Sequence, residues 1–300
     1  MDVVMRILVL GDPIIDEYLF GRVNRMSPED STIPVFDIEK KEYRPGGCLN
    51  TAVNLKAMGP ENEIYALAPV STFTWNMLDK LGVRSLVLLS EDFEDGETYL
   101  EFPQHEELIK TRIIDLDKNN KQLIRIDNKL KFNERTSHYF KKWFLSTNKL
   151  NYDCIVISDY EKGCVDQSVI DFVSSFEGPV FVDTKKKDLS IWKNIKRCII
   201  KINSQEYLAA ANANLIKNLI VTRGKHGSVW FENGTQTYMC ETFEVQEPNV
   251  IGAGDCFLSG LVLKYMETES MEESLKFATR AASVSVKKFG TSVVEKNELV

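Results

Sequence analysis

Short apolar runs rich in β-branched residues alternate along this chain with amphipathic segments of helical length. Strands that are buried on both faces of a parallel sheet read as continuous apolar runs, and helices connect such strands. The alternation therefore predicts an α/β fold, a three-layer α/β/α sandwich with a mostly parallel central sheet. The predicted strands are residues 7–10, 64–68, 154–158, 180–183, 198–202 and 219–222. The predicted helices between them include residues 50–58, 166–176 and 204–211.

A different pattern, in which polar and apolar residues alternate without an intervening helix, covers about residues 32–43 and 98–128. A period of two indicates strands with one wet face, as in a small antiparallel sheet. Both segments interrupt the α/β pattern. We therefore predict one domain over residues 1–300, with lid strands inserted at about 32–43 and 98–128. An edge extension without a function explains the same pattern equally well.

Composition and charge exclude several classes of protein. The 300 residues are 43% hydrophobic, and no apolar run approaches the ~18 residues that span a bilayer. No signal peptide is recognisable, so we expect a cytoplasmic location and no membrane partner. The net charge of −7 argues against nucleic acid as a partner. The 6 cysteines form no C-x-x-C pair and the 3 histidines are dispersed, so neither disulfides nor a structural metal are expected.

The most informative motif runs from Asn249 to Asp255, where small residues precede a predicted helix over residues 256–266. Unpaired amides at a helix N-terminus bind anions, and glycine lets a phosphate approach closely. Because a carboxylate repels an anion, Asp255 suits a general base on an attacking hydroxyl. An N-cap beside a tight turn is an equally compatible explanation of this motif alone. The motif is neither a Walker A loop nor G-x-G-x-x-G, since Phe257 stands at the third glycine position.

Two motifs near the N-terminus add candidate ligands for a sugar. Asp12 and Asp16 follow the first predicted strand, at the sheet edge where α/β proteins bind ligands. Their carboxylates suit the neutral hydroxyl donors of a sugar, although turn formation and helix capping explain them too. Gly46, Gly47 and Asn50 open the next predicted helix and present free amides there.

In these motifs the sequence resembles the ribokinase-like carbohydrate kinases of the PfkB family. Gly46-Gly47 with Asn50 is similar to the family's N-terminal signature, and Gly252-Ala253-Gly254-Asp255 is similar to its C-terminal one. Longer strings narrow the resemblance to kinases that phosphorylate D-glycero-β-D-manno-heptose 7-phosphate at O1 in ADP-heptose biosynthesis. These strings are residues 25–29, 110–112, 122–127, 158–163, 203–206, 221–223 and 289–292, together with Gly11-Asp12 and Asp16.

The resemblance implies an ATP-dependent phosphotransferase that works with Mg²⁺, and it implies a role for each matching position. Asp255 would activate the acceptor hydroxyl, and the amides of residues 252–254 would stabilise the transferring phosphoryl group. Asn203 and Glu206 would work with the ATP phosphates, with Glu206 on the metal side. The remaining implied positions are Thr222, Arg223, Gly224 and Gly290 for the nucleotide, and Asp12, Asp16, Gly46, Gly47 and Asn50 for the sugar.

An acceptor that already carries a phosphate needs a cation in the site. Arginine binds a phosphate bidentately, and lysine binds it as a point charge. For each candidate, a solvated surface charge is the alternative. The resemblance also implies that the inserted strands close over the substrate and often form a homodimer interface. The candidate cations are Lys110, Arg112, Arg125 and Lys185.

The sequence departs from the family signature just before the glycines. Asn249 and Ile251 stand where the family usually has Asp and Thr. In relatives the Asp position is tied to a monovalent cation, so potassium dependence stays open. Two alternatives to a heptose 7-phosphate kinase also stay open: a PfkB-type kinase for another sugar or sugar phosphate, and a non-catalytic sugar- or nucleotide-binding relative. Retention of Asp255, Asn203 and Glu206 favours an enzyme, because a binding protein has no need of a base.

Overall fold

The computed structural model describes residues 4–86, 88–89, 107–132, 151–242, 245–246 and 248–299. The strands in these residues are β1 (Arg6–Gly11), β2 (Pro13–Met26), β3 (Pro34–Gly47), β4 (Glu63–Leu67), β5 (Val70–Ser71), β6 (Arg84–Ser85), β7 (Leu88–Leu89), β8 (Ile109–Asp115), β9 (Lys121–Asp127), β10 (Cys154–Asp159), β11 (Val180–Thr184), β12 (Cys198–Asn203), β13 (Asn218–Thr222), β14 (Ser228–Glu232) and β15 (Thr235–Cys240). The α-helices are α1 (Cys48–Met58), α2 (Thr72–Lys80), α3 (Gln167–Val173), α4 (Ser204–Ala209), α5 (Ala253–Thr268) and α6 (Met271–Ser285).

The central sheet has 9 strands in the order β15-β14-β13-β12-β11-β10-β1-β4-β6. All neighbours from β6 to β13 are parallel, and β14 and β15 add an antiparallel edge. Strand β1 is the point from which the chain builds the sheet in both directions, toward β4 on one side and β10 on the other. Open α/β sheets bind ligands at the carboxyl ends of the strands beside such a point. The predicted strands and their parallel arrangement are therefore confirmed.

Both faces of the central sheet are covered. Ile7 and Val9 of β1 belong to the hydrophobic core that contains residues of α1, α2, α5 and α6. Leu8 and Leu10 belong to a second core, which contains residues of α3 and the buried Trp192. Alternate residues of a strand point to opposite faces, so two separate cores are what a three-layer sandwich requires. The predicted α/β/α architecture is confirmed.

A small sheet of 4 strands, in the order β3-β2-β8-β9, lies apart from the central sheet. Strand β3 covers most of the segment 32–43, and β8 and β9 lie within 98–128. Residues 98–106 of that second segment lie outside the described residues. The sequence pattern missed β2, which follows β1 directly and runs for 14 residues. We expected a ligand-binding turn there, because Gly11, Asp12 and Pro13 look like a turn. Strand β1 does end at this point, but the chain continues directly into β2.

The helices differ from the predicted ones mainly at their ends. Helix α3 begins after Asp166, whose side chain accepts a hydrogen bond from the Val169 amide, and it ends at Val173 instead of residue 176. Helix α5 begins 3 residues earlier than predicted, because Gly252 already turns the chain into it. None of the helices in the described part of the chain is long and apolar enough to cross a membrane.

Candidate active site

The site is built around the N-terminus of α5. Gly252 has a φ of 74°, in the left-handed region that favours glycine, and it is the N-cap of this helix. A Cβ at Gly252 would lie 2.8 Å from Asn50 Nδ2, and a Cβ at Gly254 would lie 2.9 Å from Lys201 Nζ. The close approach and the positive φ favour glycine at Gly252, whereas at Gly254 only the end of the Lys201 side chain would have to move. Asp255 stands in the first turn of α5 and is 3% exposed.

Two side chains from other segments hold the Asp255 carboxylate. Asn50 of α1 donates from Nδ2 to Asp255 Oδ2 at 2.8 Å, and the Tyr160 hydroxyl donates to Oδ1 at 2.9 Å. Asn50 is itself held by Asn54, whose Nδ2 donates to Asn50 Oδ1 at 2.9 Å. Each carboxylate oxygen accepts one of these bonds and has a further lone pair for another donor. Asn50 thus orients Asp255, and its contact with the sugar stays a prediction.

The surroundings of Asp255 set its acidity. Burial raises the pKa of Asp255 to about 6, and the negative charge of Asp183 adds to the rise. The hydrogen bonds from Asn50 and Tyr160 and the charge of Lys201 act in the opposite direction. A carboxylate with this pKa is mostly ionised at neutral pH and is more basic than an exposed aspartate. Its position and pKa suit a general base.

Lys201 and Asp183 form a buried ion pair beside the start of α5. Lys201 lies on β12 and Asp183 lies opposite it on β11, with Nζ 2.7 Å from Oδ2. Their side chains are only 5% and 13% exposed. The Lys201 ammonium therefore stands next to Gly254 in the first turn of α5, where an anion would approach. Sequence reasoning missed Lys201, and its one signal is a lysine within the otherwise apolar start of β12.

Two lysines lie over the ring of Tyr160. Lys110 Nζ is 5.0 Å and Lys185 Nζ is 5.1 Å from the ring centroid. Lys110 belongs to β8 of the small sheet, and Lys185 follows β11 of the central sheet. Burial lowers the pKa of Lys110, and Lys185 forms an ion pair with Glu206 at 2.6 Å. The structure thus brings two of the four predicted cations to Tyr160, a residue that we had not predicted to have a role.

The two arginine candidates are engaged elsewhere. Arg112 donates to Asp16 Oδ1 from Nε and Nη2, at 3.2 and 2.9 Å, and to Gln122 Oε1 from Nη1 at 3.2 Å. The side chains of this Arg112–Asp16 pair are 8% and 5% exposed. In this structure the two buried charges neutralise each other, and binding of a phosphate by Arg112 and of a sugar hydroxyl by Asp16 stays a prediction. Arg125 lies on the exposed β9 and pairs with Asp127 at 2.9 Å.

Asp12 is a structural clamp. Its carboxylate is fully buried. The amides of Tyr160 and Lys162 donate to Oδ2 at 2.7 and 3.0 Å, and the amide of Cys164 donates to Oδ1 at 3.0 Å. These bonds hold the backbone of the loop that carries Tyr160, and the sugar-binding role of Asp12 stays a prediction.

Asn203 and Glu206 form the capping box of α4. Asn203 Oδ1 accepts from the Glu206 amide at 2.9 Å, and Glu206 Oε2 accepts from the Asn203 amide at 2.7 Å. Burial alone would raise the pKa of Glu206, but the bonds from Lys185 and Asn203 outweigh it and lower the pKa. Glu206 is therefore an ionised carboxylate on the site side of α4. No group of three or more His, Cys, Asp and Glu side chains in the described ranges is placed to hold a metal ion.

The predicted nucleotide residues fall into two groups. Gly224 follows Thr222 and Arg223, and a Cβ at Gly224 would meet nothing within 4 Å, so this loop is open. Buried Nε of Arg223 has no hydrogen-bond partner among the described residues. Gly290 is different, because a Cβ there would lie 2.6 Å from the Tyr18 hydroxyl. Tyr18 thus occupies the side of Gly290 that a Cβ would fill, and the position of Gly290 near the adenine stays a prediction.

Close contacts explain the paired glycines before α1. A side chain at Gly47, which has a φ of 57°, would lie 2.5 Å from the carbonyl oxygen of Asp12. A side chain at Gly46 would collide with the Asp16 carboxylate. These glycines therefore let the start of α1 approach β2 closely, which places Asn50 within reach of Asp255.

Comparisons with known proteins agree with this architecture. Residues 179–297 match the family model described as pfkB family carbohydrate kinase. The family that these residues resemble is thus the pfkB family of carbohydrate kinases. Over 311 residues it is 29% identical to the bifunctional protein HldE of Histophilus somni, and over 314 residues 29% identical to that of Vibrio parahaemolyticus. The alignments cover 98% of this chain and 62% of the length of each relative.

Two solved structures of other kinases have the same fold. A ribokinase from Thermotoga maritima superposes with a TM-score of 0.71 at 18% identity, over 99% of this chain and 98% of that one. Phosphofructokinase-2 from Escherichia coli, in complex with potassium, superposes with a TM-score of 0.74 at 17% identity, over 99% and 97%. The predicted ribokinase-like fold and the resemblance to pfkB family kinases are confirmed.

The clamp role of Asp12 predicts a loss of stability. Asp12→Asn should lower the free energy of unfolding by about 3 kcal/mol, because the new NH₂ group faces buried amides that need an acceptor. Chemical denaturation measures the change. Asp79→Asn, an exposed substitution on α2, is the control and should change this free energy by less than about 0.5 kcal/mol. Unchanged stability together with a sharply raised KM for the sugar would restore Asp12 as a sugar ligand.

Proposed function

We propose that this chain is an ATP-dependent sugar-phosphate kinase in which Asp255 is the general base. The observation that carries the proposal is the position of Asp255. It is a buried carboxylate with a pKa of about 6, at the N-terminus of α5 and beside the ammonium of Lys201. Such an arrangement places a proton acceptor next to a site of positive potential, which in-line phosphoryl transfer to a hydroxyl requires.

In this reaction the acceptor hydroxyl donates its proton to Asp255 while its oxygen attacks the γ-phosphorus of ATP. Asn50 and Tyr160 each hold one oxygen of the carboxylate in place, and each oxygen keeps a lone pair for the hydroxyl proton. The amides at Gly252 and Gly254, the helix dipole and the ammonium of Lys201 supply positive potential to the transferring phosphoryl group. The leaving group is ADP, and Asp255 later releases the proton to water.

The residues present fit a magnesium ion that arrives with ATP. Mg²⁺ binds few protein carboxylates and keeps several waters and phosphate oxygens as ligands. Glu206 fits this use, because it is ionised and partly exposed. Lys185 and the Asn203 amide each donate to one of its oxygens and so fix the orientation of the carboxylate. When bound, Mg²⁺ would neutralise charge on the phosphates, and Glu206 would contact it through water. Thr222, Arg223 and Gly224 would lie along the nucleotide beside the open loop.

We propose heptose 7-phosphate as the acceptor and its O1 hydroxyl as the attacking group, which gives the 1,7-bisphosphate. The longer motif strings that resemble heptose 7-phosphate kinases support this choice, and so do the HldE relatives. The acceptor's own phosphate would bind Lys110 and Lys185, whose ammonium groups both lie over the ring of Tyr160. Arg112 would contribute indirectly, by neutralising Asp16 near that phosphate.

The base assignment predicts the effect of removing the carboxylate charge. Asp255→Asn should lower kcat by a factor of about 10³, because general bases contribute ~10²–10⁴ to the rate. ADP release with Mg·ATP and heptose 7-phosphate measures it. In the unaltered protein, kcat/KM should fall as the pH drops below about 6, the pKa of Asp255, since only the ionised form accepts a proton. Full turnover by Asp255→Asn would rule out Asp255 as the base.

The lysines predict a selective loss of affinity for the phosphorylated sugar. Lys110→Met or Lys185→Met should raise the KM for heptose 7-phosphate by about tenfold or more, the loss of one charge-assisted hydrogen bond. The KM for unphosphorylated heptose should change little. Lys196→Met is the control, because Lys196 pairs with the exposed Glu177 on the surface. Equal effects on both sugars would mean that these lysines do not bind the acceptor phosphate.

We also propose that the small sheet pairs with a second copy of the chain. Strand β9 is the edge of this sheet and is exposed along its whole length. Its side chains Leu123, Ile124 and Ile126 are 40%, 53% and 53% exposed. Neighbouring apolar side chains on an unpaired strand edge favour association with another strand.

Dimerisation through β9 predicts a mass change on a single substitution. Ile126→Asp should convert a dimer to a monomer, because association would bury an unpaired charge. Light scattering coupled to size-exclusion chromatography measures the mass. Leu208→Asp is the control, since Leu208 is 85% exposed on α4 and away from β9. A monomeric unaltered protein, or a dimeric Ile126→Asp variant, would overturn this interface.

A further inference from the structure

We propose that Tyr160 is a positioning residue with two separable roles: its hydroxyl fixes the general base, and its ring holds the two lysines that bind the acceptor phosphate. The proposal rests on the proposed function and adds to it a link between the two ends of the acceptor. The Tyr160 side chain would contact both the lysines that bind the acceptor phosphate and the carboxylate that accepts the proton of the acceptor hydroxyl.

The hydroxyl of Tyr160 is fixed toward Asp255. It donates to Asp255 Oδ1 at 2.9 Å. Burial raises the pKa of Tyr160 well above its usual value, so the phenol stays a donor over the working pH range. The Tyr160 amide donates to the Asp12 carboxylate at 2.7 Å, and Thr184 donates to the preceding residue, Asp159, at 2.9 Å. The backbone of Tyr160 is thus anchored independently of its hydroxyl.

Two lysines from different parts of the fold lie over the ring of Tyr160. Lys110 reaches it from the small sheet, and Lys185 reaches it from the loop after β11, at 5.0 and 5.1 Å from the centroid. An aromatic face attracts an ammonium group and also excludes water from it. The ring therefore orders the ammonium groups from the small and central sheets, and Lys185 is in addition paired with Glu206. A carboxylate at this position would attract them too, but it would compete with a phosphate.

Several charged and titratable groups lie close to Asp255 and influence its pKa. Tyr160, in the loop after β10, is the one titratable group among the described neighbours of Asp255 that donates a hydrogen bond to its carboxylate. The variants below leave the other groups in place, so a shift of the profile reports the loss of the Tyr160 hydroxyl. The titratable and charged groups that face Asp255 are Cys48 on α1, Tyr160, Asp183 on β11, Lys185, Lys201 on β12 and Cys256 on α5.

Tyr160→Phe tests the hydroxyl alone. The hydrogen bond favours the ionised carboxylate, so its loss should raise the pKa of Asp255. We expect the acid limb of kcat/KM to move up by about one pH unit and kcat near neutral pH to fall by roughly tenfold. The KM for heptose 7-phosphate should stay within about twofold, because the ring remains. An unshifted acid limb would overturn this role of the hydroxyl.

Tyr160→Leu tests the ring. It removes the hydroxyl and the aromatic face together, so it should add to the effects of Tyr160→Phe an increase of about tenfold in the KM for heptose 7-phosphate. The KM for ATP should not change. Tyr160→Met replaces it if the leucine variant does not fold, as judged by circular dichroism. Equal KM values for the phenylalanine and leucine variants would overturn the role of the ring.

Tyr238→Phe is the matched control, because Tyr238 on β15 also has a lysine, Lys276, over its ring at 5.9 Å. It should change neither the pH profile nor the KM. A carboxyl ¹³C NMR titration of Asp255, assigned with Asp255→Asn, measures its pKa without substrate. If the unaltered protein does not phosphorylate heptose 7-phosphate, the proposed acceptor fails. The titration still decides the hydroxyl role: an upward shift in Tyr160→Phe supports it, and no shift overturns it.

Discussion

A carboxylate buried at the start of a helix is costly unless donors from elsewhere in the fold reach it, and this requirement shapes the site. Asp255 of α5 receives one hydrogen bond from Asn50 of α1 and one from Tyr160 of the loop after β10. Each donor depends on further contacts, Asn50 on Asn54 and Tyr160 on Asp12. Asp255 is therefore the point where three segments distant in sequence meet, and its pKa of about 6 follows from that burial.

Most of the cations of the site are likewise paired with a carboxylate. Lys201 is balanced by Asp183, Arg112 by Asp16 and Lys185 by Glu206. Buried charges are tolerated when they are paired, and an arriving phosphate can share such cations. Lys110 is held instead over the face of Tyr160, which leaves its charge for a ligand. The small sheet that carries Lys110 and Arg112 thereby joins the acceptor end of the site to the base.

The sequence predicted the central sheet well, because buried parallel strands are apolar throughout and the helices between them are amphipathic. It missed β2, since Pro13 and two aspartates resemble a turn. The motif around Gly252 and Asp255 predicted the helix start that carries the buried carboxylate, because the helix start and the glycines are local features. The partners of Asp12 and Arg112 could not be predicted from the sequence, because ion pairs and bonds from backbone amides to a carboxylate depend on which strands become neighbours. Lys201 and Tyr160 were missed for the same reason.

The most direct test of the central claim is the product formed with Mg·ATP and heptose 7-phosphate, followed by ADP release and ³¹P NMR. The account predicts a second phosphate signal on the anomeric position in step with ADP, and far slower turnover of unphosphorylated heptose. Ribose and fructose 6-phosphate complete the panel of acceptors. ADP formation with none of these sugars, or equal turnover with and without the acceptor phosphate, would contradict a sugar-phosphate kinase that combines a carboxylate base with a lysine pocket.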